Sequence, residues 1–114
     1  MAVIHLDGAV LGALQDVMEQ EYPLLLDTFL SDSRARLQQL RTAPDAEALS
    51  QAAHSLKGSS SNMGAVQLAE LCRQMEQEAH QLAPADTETL LQEIAKEMAI
   101  VQQLYTDERQ RFNS

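Results

Sequence analysis

The chain has 114 residues, enough for one domain with one modest core, and 8 Lys and Arg against 17 Asp and Glu give a formal net charge of −9. Such an acidic surface repels phosphate backbones and anionic lipid headgroups, which argues against nucleic acids and membranes as partners. With two Tyr, two Phe and no Trp, the core must be built from Leu, Ala, Met, Val and Ile, a composition that favours packed helices over sheets.

The remaining composition bounds the compartment and the kinds of site. Cys72 is the single cysteine, so there is no internal disulfide and no multi-cysteine metal site. The N-terminus lacks a basic segment followed by a long apolar run, and no apolar run approaches the roughly 20 residues that span a bilayer. These features predict a soluble, cytoplasmic protein without a cofactor or metal of its own.

Apolar residues recur at three- and four-residue steps along five segments, which predicts five helices. The first is short and is expected to close one end, while the other four are long and joined by short links. The sequence therefore predicts an all-α fold, an up-down-up-down four-helix bundle with a short extra N-terminal helix, as a single domain over residues 1–114. The predicted helices cover residues 7–20, 22–41, 45–62, 65–81 and 87–111.

Local signals predict where several of these helices begin and end. Asp7 and Asp86 are candidate N-caps, because a short acidic side chain can accept from the first free N–H groups of a helix. Asp45 and Glu47 are well placed against the positive end of the dipole of the third helix. Pro23 marks a break or lies in the first turn of the second helix. Gly64 is the expected stop of the third, since glycine readily takes the left-handed conformation there.

The most informative polar residues lie on one face of the third predicted helix. Gln51, His54, Lys57, Gly58 and Ser61 follow one another at three- and four-residue steps, away from the apolar stripe. His54 is therefore predicted to face solvent or a partner rather than the core.

These residue types suit a phosphoryl carrier. A neutral ring nitrogen of His54 is a nucleophile near neutral pH, and Lys57 could lean back toward it and offset the charge of phosphoryl oxygens. Gly58 costs a helix about 1 kcal/mol relative to alanine, which is explained if a partner's active site must close over the histidine. No glycine-rich nucleotide loop and no evident Mg²⁺ carboxylate cluster accompany them, so the phosphoryl group would come from one partner and go to another.

Plainer interpretations compete with this one. On spacing alone, His54 could be an ordinary surface histidine. A zinc site made by His5, His80 and Cys72 matches no ligand spacing, and we expect both of these histidines at the surface and Cys72 in the core. Ser55 and Ser59 beside His54 lack the oxyanion-hole or elbow motif of a hydrolase.

The run from His54 to Gly64, HSLKGSSSNMG, closely resembles the signature of histidine-containing phosphotransfer (HPt) domains of multistep phosphorelays, with Lys at plus three, Gly at plus four and Gly at plus ten. The helix order is similar to that family as well, so the resemblance covers nearly the whole chain and implies a stand-alone bacterial HPt protein. It implies phosphorylation of His54, assistance by Lys57, and docking of a receiver domain over Gly58.

The resemblance also implies the partners and one departure. The expected donor is the receiver domain of a hybrid sensor histidine kinase, and the expected acceptor is the receiver domain of a response regulator. Many family members place a glutamine on the following helix, facing the histidine. The corresponding position here is Glu76, with Gln77 beside it. A carboxylate could hold the imidazole N–H, or repel an incoming phosphoryl group. Gln51, Ser61 and Glu76 are therefore expected in docking or in orienting the histidine.

Two hypotheses of different classes remain open from the sequence. The leading one is a phosphotransfer intermediate that is not itself an enzyme. The other is an interaction module, an inhibitory helical adaptor that binds a receiver or a kinase without accepting phosphate. The partners' identities, the direction of flow, the process controlled and the phosphorylated ring nitrogen all stay open. So does the oligomeric state, although an exposed carrier histidine fits a monomer.

Overall fold

The computed structural model describes residues 3–112, and within them the chain forms α-helices joined by short links, with no strand. A single 3-10 turn, Glu19–Glu21, joins the first two helices. The α-helices are α1 (Gly8–Met18), α2 (Tyr22–Thr42), α3 (Ala46–Asn62), α4 (Val66–Glu78) and α5 (Pro84–Gln110).

The four long helices pack as an antiparallel bundle, as the sequence predicted. At one interface, the Tyr22 hydroxyl donates to Glu108 and the Gln102 amide donates to Ser33, so α2 and α5 run in opposite directions. α3 and α4 pack side by side and are joined by the short link at residues 63–65, so they also run in opposite directions, and α1 contacts α2. No helix within residues 3–112 is long and apolar enough to cross a membrane.

Apolar side chains from all five helices meet in one core. Tyr105 of α5 is fully buried, its ring 4.8 Å from that of Phe29, and its hydroxyl donates to the Met63 carbonyl at 2.6 Å. That hydrogen bond satisfies a polar group which would otherwise be costly to bury. The largest fully buried apolar side chains are Tyr22, Leu26, Leu40, Leu56, Leu68, Cys72, Met75, Ile94, Val101 and Tyr105.

The α3–α4 turn is fixed by Gly64, as predicted. Its φ is +81°, in the left-handed region, and its carbonyl accepts from the Asp7 N–H at 2.8 Å. A Cβ at this position would meet the Asp7 carbonyl oxygen and Val10 Cβ, each at 3.0 Å. Glycine is therefore required at residue 64 for two separate reasons: its left-handed backbone, and the lack of room for a Cβ against Asp7 and Val10.

The predicted N-cap of α1 is confirmed, and Asp45, which was expected near the positive end of α3, is the N-cap of that helix. Asp7 accepts from the Ala9 N–H at 3.0 Å, and Asp45 accepts from the Ala48 N–H at 2.8 Å. However, α1 ends two residues earlier than predicted, where Glu19 adopts a φ of +50° and the chain tightens into the 3-10 turn. Val17 belongs to the apolar repeat of this helix, yet it is 80% exposed, because α1 contacts the core through Leu11, with Leu14 and Met18 partly buried beside it.

The helices on either side of the last link differ from prediction. α4 ends at Glu78, whose carbonyl accepts from the N–H groups of both Gln81 and Leu82 as the chain turns and brings Leu82 against the core. The expected N-cap at Asp86 is wrong: α5 begins three residues earlier at Pro84, with extended Ala83 as its N-cap, and Asp86 lies in the first turn. Proline is favoured at that first position because its fixed φ is already helical.

Candidate functional site

The predicted polar face of α3 lies on the outside of the bundle, beside α4. The His54 side chain is 67% exposed, as expected for a residue that meets a partner. Leu56 and Ala53, on the opposite side of the same helix, are fully buried. Burial of that apolar stripe fixes the rotation of α3 about its axis and so directs His54 outward.

Glu76 of α4 contacts both His54 and Lys57 of α3. Its carboxylate lies 2.5 Å from His54 Nδ1 through one oxygen and accepts from the Lys57 ammonium at 2.6 Å through the other. A carboxylate only accepts hydrogen bonds, so Nδ1 carries the ring proton and Nε2 is the ring nitrogen left with a lone pair when the imidazole is neutral.

The charges of this cluster offset one another. The hydrogen bond from Lys57, and after it the one from His54, holds the pKa of the Glu76 carboxyl below its usual range, against an opposing effect of desolvation. Glu76 is therefore ionised at neutral pH. Since the Lys57 ammonium faces that carboxylate, Glu76 does not present an unopposed negative charge beside His54.

Gly58 follows one turn after His54 and is exposed. A Cβ built there would meet nothing within 4 Å, so no contact inside the described chain requires glycine at this position. The cost of glycine in the helix is thus not explained by packing. It is explained if the space above Gly58 must stay open to another molecule.

The two other predicted residues of this face stand apart from the cluster. The Gln51 amide donates to Glu47 at 2.9 Å, and Glu47 also lies 3.3 Å from the His80 ring. The Ser61 side chain is exposed near the end of α3. These residues flank His54 along the helix and form a polar border, whereas His54, Lys57 and Glu76 are in direct contact.

Sequence reasoning missed one residue at this site. Ser50, one turn before His54, donates from its hydroxyl to the backbone carbonyl of Glu76 at 2.9 Å. The available signal was its position, since residues 50, 54 and 57 repeat at helical spacing, and serine is a poor residue for a helix interior.

The remaining candidate groups do not form a second site of the kinds considered. His5 contacts Glu97, His80 lies near Glu47, and Cys72 is buried, so the three possible zinc ligands lie apart. Burial raises the pKa of the Cys72 thiol to about 12, as for an unreactive core cysteine. Within residues 3–112, no three His, Cys, Asp or Glu side chains are placed to hold a metal ion.

A helical bundle with an exposed histidine on one helix agrees with the resemblance to phosphotransfer domains, and Glu76 stands where many members have a glutamine. The Hpt domain model matches residues 24–104, which is most of the chain, and the chain belongs to this family. Its members are carriers of phosphoryl groups in phosphorelays and work with receiver domains of two-component systems.

A solved structure agrees in detail. The chain is similar to histidine-containing phosphotransfer protein B (HptB) from Pseudomonas aeruginosa PAO1, with 48% sequence identity over 98% of this chain and 100% of the other, and a TM-score of 0.91. A comparison with curated protein sequences found no match. The predicted family and the all-α bundle are thus confirmed.

Proposed function

We propose that His54 accepts a phosphoryl group from the aspartate of a hybrid sensor kinase's receiver domain and passes it to the aspartate of a response regulator. The observation that supports this most directly is the contact of His54 Nδ1 with Glu76 on a histidine that is 67% exposed. It leaves Nε2 as the nucleophile, open to a docking partner.

In the proposed transfer, one phosphoryl group moves from the donor aspartate to the His54 ring and then to the acceptor aspartate. The Nε2 lone pair attacks phosphorus, the bond from phosphorus to the donor aspartate oxygen breaks, and its electron pair returns to that carboxylate. The phosphorylated ring keeps its Nδ1 proton and is cationic, a state that the Glu76 carboxylate stabilises. Attack by the acceptor aspartate breaks the N–P bond and returns a neutral imidazole. Any metal and the in-line positioning belong to the receiver domains.

Lys57 and Gly58 have supporting roles in this proposal. Lys57 offsets the Glu76 charge in the resting protein through a contact of 2.6 Å, and we expect its ammonium to stabilise phosphoryl oxygens on His54. Gly58 leaves open the space into which a receiver domain would dock. Gln51 and Ser61 border this docking surface. We further propose that one chain acts as a monomer in the cytoplasm, where receiver domains operate, and that residues 1–114 form one domain, since Asp7 and Tyr105 both contact the α3–α4 turn.

The test is incubation with a receiver domain carrying radiolabelled phosphate on its aspartate. Label should pass to this protein, resist alkali, be lost in acid, and disappear in His54→Gln. His5→Gln is the matched control, because it removes another histidine whose Nδ1 contacts a glutamate, and it should keep the label. Label that persists in His54→Gln would refute the assignment.

The same experiment separates the alternative function. A pure interaction module would bind the receiver domain equally well in wild type and His54→Gln, and would accept label in neither. Binding should therefore be measured in parallel by calorimetry on the unphosphorylated partners.

A further inference from the structure

We propose that Ser50 is a positioning residue of the His54 site, which sets the His54 tautomer by anchoring the last turn of α4. This inference rests on the proposed function of His54. It concerns how Glu76, which belongs to a different helix, is held against the ring.

The Ser50 hydroxyl is used differently from comparable hydroxyls in this chain. Serine and threonine inside helices commonly donate to a carbonyl three or four residues earlier in the same helix. That pattern holds here for Thr28, Ser33, Thr42, Ser59 and Thr89. Ser50 instead donates across the helix interface to the carbonyl of Glu76. The Ser50 hydroxyl therefore donates across a helix interface, whereas the other five donate within their own helix.

The carbonyl that Ser50 contacts lies at the end of α4. Glu76 is two residues before the end of α4 at Glu78, in the turn where helix carbonyls lose their usual N–H partners. A donor from the neighbouring helix satisfies that carbonyl and restrains a turn that would otherwise fray. The Ser50 bond thus restrains the backbone of Glu76 at the point where its side chain must be placed accurately.

Three side chains of α3 contact Glu76, one at its backbone carbonyl and two at its carboxylate. Ser50 holds the carbonyl at 2.9 Å, while His54 and Lys57 hold the carboxylate at 2.5 and 2.6 Å. Residues 50, 54 and 57 lie on successive turns of one face, so α3 contacts Glu76 over two helical turns, roughly 10 Å. The backbone anchor is the part of this arrangement that does not depend on charge.

The consequence concerns the proton on the imidazole. The hydrogen bond made by one ring nitrogen decides which nitrogen is protonated, and here the Glu76 carboxylate keeps the proton on Nδ1. If the last turn of α4 moves away, the ring also populates the Nε2–H tautomer. That form has no lone pair on Nε2 and cannot attack phosphorus there.

The experiment compares Ser50→Ala, Ser50→Thr and Ser33→Ala with wild type. Threonine keeps the hydroxyl and should restore wild-type behaviour. Ser33→Ala is the matched control, because it also removes a serine hydroxyl bridging two helices, the one that accepts from Gln102 at 2.7 Å between α2 and α5. The readouts are the His54 tautomer ratio, from ¹⁵N chemical shifts at a pH where the ring is neutral, and the rate of labelling by a phosphorylated receiver domain.

For Ser50→Ala we expect the Nε2–H population to rise at least about twofold. The labelling rate should fall by about three- to tenfold, because a small misplacement of a catalytic geometry is costly. Ser33→Ala should lower the melting temperature with neither change. A wild-type tautomer ratio in Ser50→Ala, or an equal shift in Ser33→Ala, would overturn the positioning role.

The two proposals fail in different ways. The tautomer ratio is measured without phosphate or partner, so an unchanged ratio in Ser50→Ala refutes the role of Ser50 even where His54→Gln has lost its label. Label that survives in His54→Gln refutes the carrier assignment whatever the tautomer ratio shows.

Discussion

Two histidine–glutamate pairs of this protein differ in their surroundings, and only one of them has the features proposed for a phosphoryl carrier. His54 Nδ1 lies 2.5 Å from Glu76, and His5 Nδ1 lies 2.7 Å from Glu97. The first histidine is 67% exposed, whereas the second is 33% exposed and its glutamate side chain only 6%. Similar contacts at Nδ1 therefore occur in both an open and a covered setting.

The surroundings of the two carboxylates differ as well. The Glu76 carboxylate contacts the Lys57 ammonium as well as the His54 ring, and both of these residues lie on α3. Glu97 is a buried side chain of α5 that holds the segment before α1 against the bundle. The contact at Nδ1 is common to both pairs, so the features that distinguish the proposed carrier are the exposure of the His54 side chain and the neighbouring Lys57 ammonium.

The largest expected effect is that of removing the carboxylate from the open pair. Glu76→Ala should slow labelling of His54 by about 100-fold, since it removes both the tautomer control and the stabilisation of the cationic phosphorylated ring. Glu76→Gln should lose much less, because its amide oxygen still accepts from Nδ1–H. The rates are measured with a phosphorylated receiver domain. Equal losses in the two variants would contradict the role given to the hydrogen bond.

Removal of the cation should have the next largest effect. Lys57→Ala should slow transfer by about tenfold, because phosphoryl oxygens lose a nearby positive charge. The Lys57 side chain is 31% exposed, so the fold should persist, which circular dichroism checks. Lys57→Arg is the control that keeps the charge. A rate for Lys57→Ala equal to that of wild type would remove the lysine from the mechanism.

Filling the open space beside His54 should weaken docking. In Gly58→Gln, we expect the Kd for a receiver domain to rise by about tenfold, while the helix gains roughly 1 kcal/mol of stability from losing its glycine. Gly58→Ala should gain a similar stability with a smaller loss of binding, because its Cβ meets nothing within 4 Å. Unchanged affinity in Gly58→Gln would show that the partner does not pass over this position.

The covered pair should respond in stability and not in transfer. Glu97→Ala should lower the free energy of unfolding by about 1–2 kcal/mol, because a buried carboxylate and its hydrogen bond are lost. Urea titration measures this, and the labelling rate of His54 should stay at the wild-type value. A loss of transfer that exceeds the loss of folded protein would show that the two pairs are coupled.

The smallest expected effect is a pH dependence at the open pair. The folded-state pKa of Glu76 is below its ordinary value of 4.5, so the unfolded state binds more protons in acid. The stability contributed by Glu76 is therefore fully present above that ordinary value and is lost as pH falls through the lowered pKa. We expect the difference in unfolding free energy between wild type and Glu76→Gln to shrink by a few tenths of a kcal/mol from about pH 5 to about pH 3. A difference that grows in acid would contradict the sign.

The same comparison shows which parts of the molecule could be predicted from the sequence. The stripe that buries Leu56 also turns His54 outward, so helix periodicity alone placed His54 on the surface. The contact of His5 with Glu97 could not be found, since 92 residues separate them and no local pattern marks either one. Likewise, the first three residues of α5 were missed, because Asp86 is a residue type typical of N-caps, whereas the helix begins at Pro84 without a side-chain cap.

The contact of Glu76 with His54 could be predicted only in part. Its position in the sequence was predicted by counting along the following helix, yet only tertiary packing decides whether its side chain reaches His54. The hydrogen bond from Ser50 to the Glu76 carbonyl could not be predicted at all, because a sequence does not indicate which carbonyl a serine hydroxyl will contact.

Gly64 has a consequence for how sequences of this kind are recognised. Its φ of +81° and its closeness to Asp7 and Val10 make it a requirement of folding, although it lies in the same short run as His54. The run from His54 to Gly64 therefore carries two separate requirements, one for chain geometry at Gly64 and one for the chemistry proposed at His54. We expect a variant that loses the histidine but keeps this glycine to retain the fold and lose the proposed transfer, so the glycine reports the fold and the histidine reports the function.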